Sequence, residues 1–223
     1  MKRCLPFIIV GAAALTALAS GPLLCQTMQM NRLTIAADET ISGKGLAKSV
    51  HIRGNPEAPV TLEEFGDFEC SSCANLATFL DQLIKEYHPR VRLIFLNFPL
   101  PMHQFARDAA LTAEAAGLQG RYWEMHDLLY REQAVWAKTK DVQPLFDSYA
   151  GMIGVNLERF KKDVGGEQVK AKVESDQKRG EALGVKNTPT IFINNQSVPP
   201  ASLNPTALRA AIDAAVKEKD NGS

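Results

Sequence analysis

The chain has 223 residues and a formal net charge of zero, with 25 Lys and Arg side chains against 25 Asp and Glu. A chain of this length can bury one full hydrophobic core. Its balanced charge provides no basic field to hold nucleic acid, so we do not expect a nucleic-acid-binding protein.

The N-terminus has the pattern of a secretory signal peptide. Lys2 and Arg3 precede an apolar stretch over residues 5–18, and Ala17-Leu18-Ala19 matches a cleavage pattern. The apolar stretch is shorter than the roughly 20 residues of a membrane-spanning helix. We therefore predict that residues 1–25 are a signal peptide cleaved near residues 19–25, and that the mature protein is periplasmic or otherwise extracytoplasmic. An uncleaved anchor is the alternative.

Cys25 raises the question of a lipid anchor. It follows Pro22-Leu23-Leu24, which weakly resembles the lipoprotein box of bacteria. Leu24 stands where that box has a small residue, so we expect a soluble exported protein rather than a lipoprotein. Residues 26–47 are polar and contain glycine, which predicts a flexible N-terminal arm.

The next segments predict a strand–helix–strand unit. Residues 50–53 alternate in polarity and predict a short edge strand, whereas residues 60–65 and 91–96 predict buried strands. Between them, residues 70–87 have a helical pattern. This spacing predicts a right-handed unit with two parallel strands.

A helical block follows the second buried strand, after the break at Pro99-Leu100-Pro101. Tyr122, Trp123 and Tyr130 are predicted to pack inside it. The predicted helices cover residues 105–118, 122–132, 142–152, 157–164 and 167–183.

Strand character returns at residues 188–193, and Asn194-Asn195 predicts a hairpin turn into a short partner strand. A last amphipathic helix is predicted over residues 205–218. The resulting order predicts an α/β thioredoxin fold with an inserted helical domain. Its predicted parts are residues 48–99 and 184–220 for the thioredoxin fold, with the helical domain at residues 100–183.

Cys70-Ser71-Ser72-Cys73 lies where the first buried strand runs into its helix. A Cys-x-x-Cys at that point is the arrangement used for dithiol–disulfide exchange. The helix N-terminus favours a thiolate through its unpaired N–H groups and its dipole. This predicts Cys70 as the attacking sulfur and Cys73 as the resolving one.

Half of a zinc site is the main alternative interpretation of the two cysteines, and a pair of inert buried cysteines is the other. A zinc site would need a second pair of ligands at ligand spacing. Cys4 and Cys25 both lie in the N-terminal segment, and the four histidines are scattered along the sequence. We therefore predict no metal site, and no cofactor other than the Cys70–Cys73 disulfide.

Four segments resemble the DsbA-like thioredoxin-fold proteins of bacteria, which are exported thiol–disulfide oxidoreductases. The resemblance covers about residues 48–218. The segments are Gly-Asn-Pro-Glu-Ala-Pro-Val (54–60), Glu-Phe-Gly-Asp-Phe-Glu-Cys-Ser-Ser-Cys (64–73), Phe-Pro-Leu-Pro-Met-His (98–103) and Gly-Val-Lys-Asn-Thr-Pro-Thr-Ile-Phe-Ile-Asn (184–194).

The resemblance implies roles for several residues. Cys70 matches the family's nucleophile, Cys73 its resolving cysteine and Pro189 its cis-proline. Thr188 would face the disulfide and bind a substrate chain in extended form. Glu64 matches an acidic residue below the active site, where burial would raise its pKa and let it exchange a proton with Cys73. A solvated Glu64 is the alternative.

Other residues near the motif have simpler interpretations. Phe68 is predicted to line a shallow apolar patch for substrate side chains, beside the hydroxyls of Ser71 and Ser72. Asp67 and Glu69 are predicted to lie at the rim. Ser71-Ser72 carries no histidine, so we expect Cys70 to be less acidic than in the strongest oxidants of the family.

His103 is predicted to be a structural hydrogen-bonding residue or a helix cap rather than a catalyst.

The sequence as a whole favours an enzyme that exchanges its disulfide with cysteines of reduced exported polypeptides, as an oxidant. The resemblance implies reoxidation by a membrane quinone-linked partner. A reductase or isomerase is the first alternative, although residues 26–47 are too short for an isomerase's dimerisation domain. A thiol-based Cu(I)-binding protein is the second, and a glutathione-using protein of the kappa-like group is the third.

Overall fold

A five-stranded mixed sheet forms the centre of the computed structural model, which describes residues 50–221. The strand order is β1-β3-β2-β4-β5. The strands are β1 (His51–Gly54), β2 (Val60–Gly66), β3 (Val91–Asn97), β4 (Thr190–Ile193) and β5 (Gln196–Ser197). The α-helices are α1 (Ser71–Glu86), α2 (Ala106–Gly117), α3 (Tyr122–Arg131), α4 (Gln133–Trp136), α5 (Gln143–Met152), α6 (Leu157–Val164), α7 (Glu167–Ala182) and α8 (Pro205–Asn221).

The strand–helix–strand unit forms as predicted: β2 and β3 are parallel, with α1 connecting them. The other pairings, of β1 with β3, β4 with β2 and β5 with β4, are antiparallel. This arrangement confirms the predicted thioredoxin fold with an inserted helical domain. The predicted signal peptide and the whole of the predicted arm lie outside the described residues.

Side chains along β2 alternate between two buried faces of the sheet. Val60 and Leu62 pack with residues of α1 and α8, including Leu80 and Leu208. Phe65 points to the other face and packs with Phe98 and other apolar side chains. Because helices cover both faces, consecutive residues of β2 are buried together, a pattern typical of a central strand.

The main differences from the sequence-based expectation are the start of one strand and one additional helix. Strand β4 begins at Thr190 rather than at residue 188, because Thr188-Pro189 belongs to the preceding loop. The one-turn helix α4 was not predicted. Its Trp136 is fully buried and donates a hydrogen bond to the Leu129 carbonyl, so tertiary packing rather than local propensity holds this turn. Among residues 50–221, no helix is long and apolar enough to cross a membrane.

Helix α7 approaches the sheet so closely that Gly180 has no space for a side chain. A Cβ atom there would lie 2.6 Å from the Phe98 ring and 3.0 Å from the Phe65 ring. We expect Gly180→Ala to lower the free energy of unfolding by about 1–3 kcal/mol, measured by urea denaturation. Gly151→Ala in α5 is the matched control, since its nearest neighbour would be 4.0 Å away. That change should be neutral or slightly stabilising, and equal effects of the two substitutions would contradict the packing argument.

Candidate active site

The two cysteines of the motif lie at the beginning of α1. Cys70 is the N-cap residue, with extended backbone angles, and Cys73 lies in the first turn. Both are thiols in this structure, and both are buried, Cys73 completely and Cys70 with 9% of its surface exposed. Cys70 is therefore the sulfur that a partner molecule can reach.

The environment of Cys70 stabilises its thiolate. A hydrogen bond from Cys73 lowers the pKa of Cys70 to about 5, with further hydrogen bonds from Thr188 and from the backbone N–H groups of Cys73 and Ser72, against the opposing effect of burial. In the thiol form, Cys70 donates to the Thr188 carbonyl at 3.3 Å. The Thr188 hydroxyl is buried without a hydrogen-bond partner there. Donation by this side chain to the ionised sulfur is the contribution of Thr188 to the lowered pKa of Cys70.

Cys73 has the opposite character. Burial raises the pKa of its thiol well above the ordinary value, and the hydrogen bond to Cys70 and the charge of Glu64 add to this effect. One thiol at this site is thus ionised near neutral pH while the other keeps its proton. The hydrogen bond between the two sulfurs, the deeper burial of Cys73 and the backbone donors at the helix start create this difference between chemically identical side chains.

Glu64 lies on the face of β2 that α1 and α8 cover. Its side chain has no exposed surface, and neither carboxyl oxygen has a hydrogen-bond partner among the described residues. Burial raises the pKa of Glu64 to about 8, and the negative charge of Cys70 contributes in the same direction. The structure therefore contradicts the solvated alternative for this residue.

The loop before β4 lies opposite the cysteines. The Thr188–Pro189 peptide bond is cis, and the Thr188 carbonyl is the one that accepts from Cys70. A groove of about 740 Å³ runs between this loop and α1. Its lining includes Ser72, Phe79, Leu183, Thr188, Pro189 and Leu203. Ser71 and Ser72 are both exposed on α1.

The prediction of a surface patch at Phe68 is wrong. Phe68 is 1% exposed, and its ring packs against the rings of Phe95, His126 and Tyr130. Because the loop after β2 turns inward before α1 begins, Phe68 anchors the motif to the helical block rather than facing a substrate.

Asp67 was also predicted wrongly, as a rim residue. It is 1% exposed, and its carboxylate contacts the backbone N–H of Glu69, the backbone N–H of Leu100 and the His103 ring. Glu69 is partly exposed and accepts from the Phe105 N–H at 2.6 Å. His103 has a structural hydrogen bond, as expected, with Nδ1 2.7 Å from Asp67 Oδ2.

Sequence reasoning missed Gln133 in α4. Its Nε2 donates to the carbonyl of Phe68 at 2.6 Å and to the carbonyl of Cys70 at 3.0 Å. No local pattern marks this glutamine, because its partners lie more than 60 residues earlier in the chain. It ties the inserted helical domain to the loop that carries the nucleophile.

Comparison with known proteins agrees with this geometry. The family model described as Thioredoxin matches residues 47–214, three quarters of the chain. The chain belongs to the thioredoxin family.

Solved structures place this thioredoxin-family protein with the DsbA-like members. It is similar to BdbD from Bacillus subtilis, with 25% identity, a TM-score of 0.66 and coverage of 74% of this chain and 92% of that chain. A thioredoxin-like oxidoreductase from Silicibacter pomeroyi is 26% identical, with a TM-score of 0.64 and coverage of 75% and 92%. The thiol-disulfide exchange protein α-DsbA2 from Wolbachia pipientis has the same fold, with 20% identity, a TM-score of 0.65 and coverage of 74% and 86%. The fold of this chain is therefore the thioredoxin fold in its DsbA-like form.

Relatives that are named as Na⁺/H⁺ antiporters contain a segment similar to this chain. A Na⁺/H⁺ antiporter NhaA 1 from Salinispora arenicola is 35% identical over 167 residues, which are 74% of this chain and 24% of the antiporter. A second NhaA 1, from Mycolicibacterium gilvum, is 35% identical over 151 residues, 66% of this chain and 23% of the antiporter. The chain thus spans about a quarter of the length of these relatives.

Proposed function

We propose that this protein is an exported oxidant that donates its Cys70–Cys73 disulfide to reduced cysteines of exported polypeptides. The observation that carries the proposal is the thiolate environment of Cys70, whose pKa is lowered to about 5 chiefly by the hydrogen bond from Cys73. A stabilised thiolate favours the reduced enzyme, and an enzyme that is stable when reduced is a strong oxidant. The value lies between those of thioredoxin, about 7, and of the strong oxidant DsbA, about 3.5.

The reaction consists of two exchanges. A substrate thiolate attacks Cys70 of the disulfide, so that a substrate–Cys70 bond forms while the Cys70–Cys73 bond breaks and Cys73 leaves with the electron pair. A second substrate thiolate attacks the first substrate sulfur, and Cys70 leaves as a thiolate. The substrate loses two electrons to form its disulfide and the enzyme gains them.

Glu64 would supply the proton that the departing Cys73 needs. Cys73 is buried and its thiolate is strongly disfavoured, because burial raises its pKa. A carboxyl with a pKa near 8, raised by burial, still carries its proton at neutral pH. The same carboxylate would take the proton back when Cys73 attacks a mixed disulfide in the reverse direction.

The groove beside the cysteines suits a polypeptide substrate. It combines apolar side chains, such as Phe79 and Leu203, with the backbone of the Thr188–Pro189 loop. We propose that a substrate segment lies there in extended form, pairs with the backbone at Thr188 and contacts the exposed Ser71 and Ser72. No cofactor beyond the Cys70–Cys73 disulfide is proposed, and a membrane quinone-linked protein is the proposed reoxidant.

The reduction potential tests the direction of electron flow. The mature chain would be equilibrated in graded glutathione buffers, and the free thiols counted by mass after alkylation. We expect a value between about −120 and −180 mV, the range of disulfide donors. A value near about −270 mV would indicate a thioredoxin-like reductase instead. A mutant lacking Cys25 is the control for the third thiol, and it should give the same potential.

A further inference from the structure

The Asp67 side chain joins the loop that carries Cys70 to the loop that follows β3. Asp67 Oδ1 accepts from the Glu69 N–H at 2.7 Å, and Asp67 Oδ2 accepts from the Leu100 N–H at 2.8 Å. His103 Nδ1 lies 2.7 Å from the same Oδ2. The Asp67 carboxylate is therefore held by two backbone donors and one ring.

Asp67 is also in direct contact with both ends of the motif through its backbone. Its carbonyl accepts from the Cys70 N–H at 3.1 Å, and its own N–H is hydrogen-bonded to the Cys73 sulfur. The side chain has no exposed surface. A buried carboxylate at this position would, if uncompensated, raise the pKa of a neighbouring thiol and oppose the thiolate on which the reaction depends.

His103 is the one side chain among the described residues that contacts the Asp67 carboxylate and can be positively charged. Burial by itself would lower the pKa of its ring, but the hydrogen bond to Asp67 and the charges of Asp67, Glu69 and Cys70 raise it overall. The ring is 24% exposed, so solvent can supply the proton. The titratable groups that face His103 are thus acidic ones, and they favour the imidazolium.

We propose that His103 is a positioning residue of the exchange reaction, which holds the loop of Cys70 through Asp67 and neutralises that buried carboxylate so that Cys70 can exist as a thiolate. The residues between the cysteines, Ser71 and Ser72, carry no charge, so the cation comes from a separate loop. This inference deepens the proposed function and rests on it, since it concerns the same sulfur.

The test compares His103→Asn with the wild-type protein. The asparagine Nδ2 can take the place of Nδ1 and keep the hydrogen bond to Asp67, but it cannot carry the charge. We expect the pKa of Cys70 to rise by about one unit, measured on the reduced protein from the pH dependence of alkylation at Cys70. The equilibrium constant for oxidising glutathione should fall by up to tenfold, which is about 30 mV for a two-electron couple.

His88→Asn is the matched control. His88 is exposed beyond the C-terminal end of α1, about 24 Å along the helix from the Cys70 end. Its substitution should leave the pKa of Cys70 unchanged. If His103 were only structural, His103→Asn would likewise leave the pKa unchanged, and that result would overturn the proposal.

A double substitution separates charge compensation from a change in loop geometry. In an Asp67→Asn background there is no buried carboxylate to neutralise, so His103→Asn should shift the pKa of Cys70 by less than half as much as in the wild type. If the pKa of Cys70 shifted as much in this background as in the wild type, His103 would not act by neutralising Asp67. Alkylation of Cys70 does not require exchange with any substrate, so failure of the proposed oxidant activity would be recognised independently in the glutathione titration.

Discussion

Replacing Cys73 with serine is expected to abolish disulfide donation while leaving a protein that accumulates mixed disulfides at Cys70. Cys70 is the partly accessible sulfur and its pKa is lowered to about 5 by the Cys73 hydrogen bond and its other donors, whereas Cys73 is fully buried. Without Cys73, a substrate bound to Cys70 can be released only by another thiol from solution. The measurement is oxidation of a reduced, unfolded ribonuclease, together with non-reducing gels that detect the covalent adduct.

Cys70→Ser is the matched control for this experiment. It removes the accessible sulfur and keeps the buried one, so we expect neither activity nor adduct. Adduct formation through Cys73 in that variant would contradict the assignment of the two sulfurs. Because serine is close in size to cysteine, both variants should unfold at similar denaturant concentrations, and loss of fold would be visible in the same samples.

Glu64→Gln is expected to slow the exchange by about 10²-fold or more at neutral pH, the usual contribution of a general acid or base. The amide keeps the size of the side chain but cannot give Cys73 its proton. Glu63→Gln is the matched control, because Glu63 precedes Glu64 on β2, points to the opposite face and binds Arg179 at 2.7 Å. That variant should exchange at the wild-type rate even if its stability falls. Equal rates for wild type and Glu64→Gln would remove Glu64 from the mechanism.

Glu64→Gln is also expected to increase the free energy of unfolding relative to the wild type as the pH rises. Burial raises the pKa of Glu64 from 4.5 in the unfolded chain to about 8 in the folded one. Its contribution to stability is therefore complete below pH 4.5 and is lost as the pH rises towards 8, by on the order of 4 kcal/mol. Glu64→Gln does not titrate, so the reduced variant should gain stability relative to the reduced wild type over this range.

Cys70 titrates in the opposite sense and is common to both proteins. Its folded pKa of about 5, lowered by the Cys73 hydrogen bond, lies below the ordinary value of 9.0, so its contribution is present at high pH and is lost as the pH falls through 5. This contribution largely cancels when the unfolding free energy of the wild type is subtracted from that of Glu64→Gln. Urea unfolding of both reduced proteins between pH 4.5 and 8 measures the effect, and a difference independent of pH would show that Glu64 is ionised in the folded protein.

Local patterns in the sequence determined most of the elements near the site. The buried strand at residues 60–65, the helix after it and the strand at 91–96 appear within one or two residues of their predicted bounds. These elements are predictable because hydrophobic periodicity and turn residues act over a few positions. The same local patterns predicted that Cys70 lies at the start of a helix, where the thiolate is favoured.

The choice between a buried and a solvated Glu64 needed the tertiary structure. Glu63 and Glu64 are neighbours on β2, and because successive side chains of a strand point to opposite faces, one lies on each face of the sheet. A sheet open on one side would leave one of them in water. Here α7 approaches one face and α1 the other, so Glu63 pairs with Arg179 while Glu64 is buried without a partner. Only the packing of distant helices decides this.

The sequence was sufficient to predict dithiol–disulfide exchange at Cys70 and Cys73, because a Cys-x-x-Cys at a helix start is a local pattern. The difference between the pKa values of the two thiols depends on the tertiary structure. His103 and Gln133 reach the loop of the motif from a separate loop and a separate helix, and their hydrogen bonds to that loop join residues more than 30 positions apart. Phe68 was misplaced for the same reason, since its ring is buried by α3 and β3. Contacts over such separations depend on how the elements pack, which no periodicity in one segment can reveal.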